Sequence, residues 1–254
     1  MATYSAAVPT PERALRGATA FQDRARIIAR PLAGGLWNIH RLGYEHIPAS
    51  GPAILCPNHI SFLDSAFHMF TVPRRISFVG KAEYMDSWKT KYLFPSLGMI
   101  PIDRSGGDAS HAALEAAEGV LRRGELFGIF PEGTRSRDGF LYKGKTGAAR
   151  LALTVDCPIL PVGIRGTSDI MPPDAKLPKL RRECWIEIGR PIHPKRYRAK
   201  ANERLALRQM TDEIMFEIAQ MTGQVYRDVY AGKAAKAAPE PVGLMVSEPA
   251  IAGA

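Results

Sequence analysis

The sequence has no run of about 18 consecutive apolar residues, the length a membrane-spanning helix requires. Its first residues, MATYSAAVPTPERALRG, lack the charged-then-apolar layout of a secretory signal. Any encounter with a membrane is therefore expected at its surface. Cysteine is scarce: Cys56, Cys157 and Cys184 are odd in number and far apart. No metal-type or redox-type pair results, which fits a reducing cytosolic location better than secretion. Beyond His59, the histidines His40, His46, His68, His111 and His193 show no paired ligand spacing, so no metal site is expected. There is no G-x-S-x-G elbow for a serine hydrolase. No internal repeat is visible, and no recognisable nucleic-acid module supports a nucleic-acid partner.

What is present suits one substantial domain. The chain has 254 residues, 46% hydrophobic and 23% charged, an ordinary globular composition. Its charge is unbalanced: 34 Lys plus Arg against 25 Asp plus Glu give +9. That favours anionic partners such as phosphorylated metabolites or acidic lipid surfaces. Apolar runs predict strands at Ala53–Cys56, Ile76–Val79, Met99–Ile102, Leu126–Phe130, Ile159–Ile164 and Cys184–Ile188. Helical patterns fall between them at Leu63–Phe70, Glu83–Leu93, Ala109–Arg123, Lys145–Thr154 and Asn202–Val229. This alternation predicts a single α/β domain with a mainly parallel central sheet flanked by helices. The domain is expected over 48–230, with tails at 1–12 and 231–254.

The segment Arg13–Ile47 has a different character. It mixes Arg24, Arg26, Arg30 and Arg41 with Phe21, Ile27, Ile28, Leu32, Leu36 and Trp37. Pro31 and Gly34-Gly35 predict a break into two short helices. Basic residues beside Trp and Leu suit a helix in a lipid headgroup layer, although packing on the domain explains the same pattern.

The strongest local signal is Asn58-His59-Ile60-Ser61-Phe62-Leu63-Asp64, between an apolar run and a helical pattern. That places it at a strand-to-helix turn, on the sheet edge where sites collect. A histidine there can accept a proton at neutral pH, and a carboxylate on its far nitrogen would fix its tautomer. Ser61-x-x-Asp64 reads equally well as a helix capping box. The spacing alone leaves both readings open.

Three further blocks bear on the choice. The residues NHISFLD resemble the His-x4-Asp signature of the 1-acylglycerol-3-phosphate acyltransferase family. Gly98–Arg104 (GMIPIDR), Phe130–Ser136 (FPEGTRS) and Ile159–Ile164 (ILPVGI) resemble that family's later blocks, in the same order. The likeness runs from about Ile47 to Gly166, and more weakly to about Arg190. It implies an O-acyltransferase in which His59 is the general base, Asp64 its partner, and Asn58 and Ser61 motif support. It also implies an acceptor phosphate held by Arg104, Glu132, Gly133, Thr134 and Arg135, with Lys81 as a further contact. Acyl-CoA or acyl carrier protein would be co-substrate, with no cofactor and no metal. The acceptor would be a glycerophospholipid, with lysophosphatidic acid leading over glycerol-3-phosphate and other lysolipids. The expected location is the cytoplasmic face of an anionic membrane, peripheral or monotopic. A non-catalytic phospholipid-binding protein is the alternative of a different class.

One pattern competes. Gly139–Thr146 (GFLYKGKT) fits the G-x4-G-K-T phosphate loop. The expected strand ends near Phe130, too early to deliver the first glycine, and Phe, Leu and Tyr fill the part that should wrap phosphates.

Overall fold

Every residue of the strand Ala53–Pro57 is buried, and its side chains alternate between two separate cores. Ile54 and Cys56 face one core, Ala53 and Leu55 the other. Burial on both faces is what a parallel sheet between helix layers demands. The computed structural model describes residues 11–81, 98–102, 109–198 and 203–231. In chain order the elements begin with α1 (Pro11–Leu36), β1 (Asn38–Leu42), β2 (Ala53–Pro57), α2 (Asp64–Thr71) and β3 (Ile76–Lys81). There follow β4 (Met99–Ile102), α3 (Ala109–Arg122), β5 (Leu126–Gly128), β6 (Leu141–Tyr142), α4 (Gly147–Val155) and β7 (Ile159–Arg165). The last are α5 (Thr167–Ile170), β8 (Glu183–Ile188), α6 (Lys195–Arg198), α7 (Glu203–Thr222) and β9 (Tyr226–Arg227). The expected helix Glu83–Leu93, Arg104, residues 1–10 and residues 232–254 lie outside the described residues.

The main sheet runs β1-β8-β7-β2-β5-β3-β4. Its pairings are parallel except β7 with β8. Helices α3, α4 and α7 cover the core containing Ile54, Phe127 and Ile159. Helix α2, with Trp37 and Ile39, covers the core containing Leu55, Phe78 and Leu160. Gly128 is required by this packing, because a Cβ there would lie 2.0 Å from the Phe78 ring.

The structure corrects the reading of the N-terminal segment. One helix, α1, continues through Pro31, and Gly34-Gly35 lie inside it. Contacts to the domain on both sides of the proline hold it: before it Asp23 pairs with Arg75 at 2.7 Å and Arg30 donates to the carbonyls of Phe70 and Thr71 at 2.9 and 2.8 Å, and after it the Leu36 carbonyl accepts the Arg181 N–H at 2.9 Å. Residues 38–42 are no membrane helix but the edge strand β1, parallel to β8. Ile27, Ile28 and Leu32 nevertheless point outward and are exposed. Among the described residues, no helix is long and apolar enough to cross a membrane.

A second correction concerns the C-terminal helix, expected to reach Val229. It stops at Thr222, because Gly223 takes a left-handed φ of 69° and its N–H closes on the Ala219 carbonyl at 2.8 Å. The chain then turns back, and Tyr226–Arg227 pair with Leu141–Tyr142 as a two-stranded ribbon.

Candidate active site

Three neighbouring parallel strands, β7, β2 and β5, deliver their C-terminal ends to one edge of the sheet. His59 follows β2, Glu132 follows β5 and Thr167 follows β7. This is the position where open α/β sheets gather their sites. Asn58 fixes the exit of β2 by imitating a strand residue. Its side-chain amide donates to the Ile164 carbonyl at 3.0 Å and its oxygen accepts the Ile164 N–H at 2.7 Å. It donates also to Gln224 at 2.8 Å, which ties the turn to the chain beyond α7.

Asp64 is fully buried at the first turn of α2. His59 donates Nδ1–H to Asp64 Oδ2 at 2.8 Å, which leaves Nε2 as the acceptor. The same Oδ2 accepts the N–H groups of Ile60 and Ser61, each at 2.8 Å. Oδ1 accepts the Thr167 hydroxyl at 2.6 Å. One half of the capping box therefore exists, the carboxylate reaching back to Ser61 N–H. The other half does not: the Ser61 hydroxyl donates to the Met171 carbonyl at 3.1 Å and is buried. Ser61 is thus no nucleophile in this arrangement. The carboxylate acts as cap and histidine partner at once.

The imidazole lies flat on Phe130, with ring centroids 3.8 Å apart and planes 18° off parallel. Its side chain keeps 18% exposure, so Nε2 is offered at a half-open site. The loop after β5 clamps the His59 peptide from both sides. Glu132 Oε1 accepts its N–H at 3.1 Å, and Ser136 N–H donates to its carbonyl at 2.7 Å.

Glu132 therefore has a different place from the acceptor-site role expected of it. It is 2% exposed, and its second oxygen accepts the Tyr142 N–H at 3.0 Å. Burial pushes its carboxyl up to about 7; the two amide bonds pull it down only partly, and Asp64 and Asp138 add to the rise. It braces the loop that carries the rest of the motif. Gly133 follows with a left-handed φ of 76°, and a Cβ there would come within 2.9 Å of Lys145 Nζ. Thr134 is exposed and Arg135 partly so, and neither side chain has a hydrogen-bond or ion-pair partner among the described residues. Lys145 is equally unpaired among them and exposed. Lys81 ends β3 at the same sheet edge.

The phosphate-loop pattern is dismantled by the fold. Its centre, Leu141–Tyr142, is a buried strand. Its lysine is a different matter: Lys145 N–H bonds the Pro131 carbonyl at 2.8 Å, which holds this residue against the Glu132–Arg135 loop. Sequence reasoning missed Lys145 in this role, along with Thr167, Phe130 and Gln224. The G-K-T pattern drew attention to Lys145 for the wrong chemistry. For Thr167 and Gln224 no local signal existed.

Under the dyad lies His68, one turn beyond Asp64 on α2. It is fully buried, neither ring nitrogen has a hydrogen-bond partner among the described residues, and it stacks on Phe78 at 5.9 Å. Burial lowers it to about 4, against the pull of Asp64. His68 and Glu132 oppose each other in stability. Glu132, raised from 4.5 to about 7, contributes stability that is full below 4.5 and lost as pH rises to about 7. His68, lowered from 6.5 to about 4, contributes stability that is full above 6.5 and lost as pH falls to about 4. Each amounts to about 3 kcal/mol at 1.36 kcal/mol per pH unit. Relative to wild type, Glu132→Gln should lose stability progressively from pH 6.5 towards 4, and His68→Leu from pH 4.5 towards 7. Urea titrations across that range check this. Profiles parallel to wild type in both variants would contradict it.

Comparison with known proteins adds independent observations. The family model described as Acyltransferase matches residues 38–165, just over half of the chain. The chloroplast 1-acyl-sn-glycerol-3-phosphate acyltransferase LPAT1 of Arabidopsis thaliana is 28% identical over 168 residues, 66% of this chain and 47% of its own. The human 1-acyl-sn-glycerol-3-phosphate acyltransferase alpha is 33% identical over 128 residues, 50% of this chain and 45% of its own. The chain thus spans about half the length of these two relatives. The crystal structure of the 1-acyl-sn-glycerophosphate acyltransferase PlsC from Thermotoga maritima shares the fold. Its TM-score is 0.60 at 23% identity, covering 83% of this chain and 78% of that one.

Proposed function

The chain belongs to the acyltransferase family, and from that premise we propose that it moves a fatty acyl group onto the hydroxyl of 1-acylglycerol-3-phosphate, giving phosphatidic acid. Acyl-CoA or acyl carrier protein is the donor. The observation that carries this reading is the His59–Asp64 pair at 2.8 Å, beside a loop whose cations Arg135 and Lys145 lack partners among the described residues. The relatives named for this activity support it.

His59 Nε2 takes the proton from the acceptor hydroxyl as its oxygen attacks the thioester carbonyl. Asp64 stabilises the imidazolium that forms. The tetrahedral intermediate collapses by breaking the carbon–sulfur bond, and His59 returns its proton to the departing thiolate. No covalent acyl-enzyme forms, in keeping with the buried Ser61 hydroxyl. General base catalysis of this kind contributes about 10²- to 10⁴-fold.

The acceptor phosphate meets Arg135, Lys145 and the backbone of the Gly133 turn. Arg104 and Lys81 remain proposed contacts from the family resemblance. Glu132 is a positioning residue. Arg135→Ala and Lys145→Ala should each raise KM for the phosphorylated acceptor at least about tenfold, since a charge-assisted hydrogen bond contributes about 1.5–3 kcal/mol. KM for the acyl donor should move little. A panel of phosphorylated and phosphate-free acceptors, with products identified by mass, tests the assignment. Equal use of acceptors lacking phosphate would overturn it.

The chemistry also favours a site beside a bilayer. Each buried methylene is worth about 0.8 kcal/mol, so a long acyl chain does not cross open water readily. Exposed Ile27, Ile28 and Leu32 on α1 support peripheral attachment through that helix; the cytoplasmic face is the side proposed.

A further inference from the structure

The segment between α5 and β8, residues 171–182 (MPPDAKLPKLRR), is exposed, basic and apolar at once. Leu177 is 80% exposed and Leu180 55%. Around them Lys176, Lys179, Arg181 and Arg182 are all exposed, with no ion pair among the described residues. The segment's one acid, Asp174, is engaged by Arg137 at 2.8 Å.

This exposure is imposed by a pinned backbone. Lys179 N–H bonds the Ile170 carbonyl at 2.7 Å, Trp37 Nε1–H bonds the Lys179 carbonyl at 2.8 Å, and Arg181 N–H bonds the Leu36 carbonyl at 2.9 Å. Pro172, Pro173 and Pro178 stiffen it further. The Ser61 hydroxyl holds Met171, so the segment is tied directly to the turn that carries His59. It also continues an apolar stripe. Ile28 and Leu32 are exposed one turn apart on α1, and the next position on that stripe, Leu36, is the residue bonded to Arg181.

We propose that residues 171–182 form a second docking element for an anionic bilayer, with Leu177 and Leu180 entering the acyl boundary and the four cations facing lipid phosphates. The unpaired charges provide complementarity to an acidic surface, and the leucines provide the insertion that a purely electrostatic contact lacks. Together with α1 it would set the His59 turn at a fixed height over the lipid, where a two-tailed product can leave laterally. The role in substrate delivery rests on the proposed acyl transfer; the docking itself does not.

The test uses the full chain with phosphatidylglycerol-containing vesicles. Leu177→Glu/Leu180→Glu and Lys176→Glu/Lys179→Glu should each lower the partition coefficient at least about tenfold. The charge-reversed pair should also flatten its salt dependence. Both should melt like wild type and retain turnover of short-chain donor and acceptor in solution, because these side chains touch no part of the dyad. Unchanged co-sedimentation in both variants would overturn the proposal. Unchanged co-sedimentation with selective loss of turnover on acyl carrier protein would reassign the patch to a protein partner and overturn it equally. Absence of acyl transfer in every variant and in wild type would sink the catalytic reading while the vesicle result stands.

Discussion

Replacing His59 with alanine should cut acyl transfer by about 10³-fold or more while lowering the melting temperature by only about 2–4 °C. The imidazole is asked to act twice, as base toward the hydroxyl and as acid toward the thiolate, and one such role alone contributes about 10²- to 10⁴-fold. Its removal should be structurally mild. Asp64 would still accept the Ile60 and Ser61 N–H groups and the Thr167 hydroxyl, so no buried carboxylate is orphaned. The Phe130 stack would be lost, at about 1 kcal/mol. Activity and stability therefore separate at this position, which makes it decisive against a non-catalytic phospholipid-binding role. A lipid-binding protein would lose little of its function with His59. The check is steady-state turnover beside binding of lysophosphatidic acid: turnover collapses and binding persists. Near-wild-type turnover would end the proposed mechanism.

How much of this could be read from the chain depended on sequence distance. His59 and Asp64 are five residues apart on one turn, so their pairing follows from local geometry. The buried strands Ala53–Pro57 and Ile159–Arg165 announce themselves as apolar runs because both faces are covered. β1 has no such signature. Its residues are mostly exposed at the sheet edge, and its pairing with β8 spans some 145 residues between Asn38 and Glu183. The same holds for Thr167, 103 residues from Asp64, and for Gln224, 166 residues from Asn58. Pro31 misled for another reason: contacts made by Asp23 and Arg30 to distant elements sustain a helix that local preference would break. Glu132 shows the limit of motif reasoning. Its place in the block is plain, yet only burial and two backbone amides reveal that it holds the loop.

Asp64→Asn should behave quite differently from His59→Ala, losing both activity and stability. Four donors converge on this fully buried carboxylate: His59 Nδ1–H, two backbone N–H groups and the Thr167 hydroxyl. A carboxylate has lone pairs for all of them, whereas an amide has one acceptor oxygen and a nitrogen that is itself a donor. With its oxygen on the Oδ2 side, the substituted amide donates to the Thr167 hydroxyl oxygen, and that hydroxyl loses its own acceptor; with its oxygen on the Oδ1 side, the amino group meets three N–H donors in a fully buried place. If its oxygen serves the backbone side, the Thr167 hydroxyl turns away. If it serves Thr167, the amino group faces His59 and the two amides, and the imidazole flips tautomer. Either orientation removes the charge that stabilises the imidazolium, and the second also loses the tautomer, so turnover should fall by up to about 10⁴-fold, the size seen when a triad carboxylate is replaced by an amide. Unsatisfied buried donors should cost about 3 kcal/mol of stability. Thr167→Val separates the two effects. It removes one donor, leaves Oδ2 and its three partners intact, and should lower stability by about 2–3 kcal/mol, because a buried carboxylate oxygen loses its donor, with turnover reduced no more than about tenfold. Denaturant melts and turnover of the two variants, measured together, check this. An Asp64→Asn protein as stable as wild type would mean that the four-donor site does not hold the carboxylate as described.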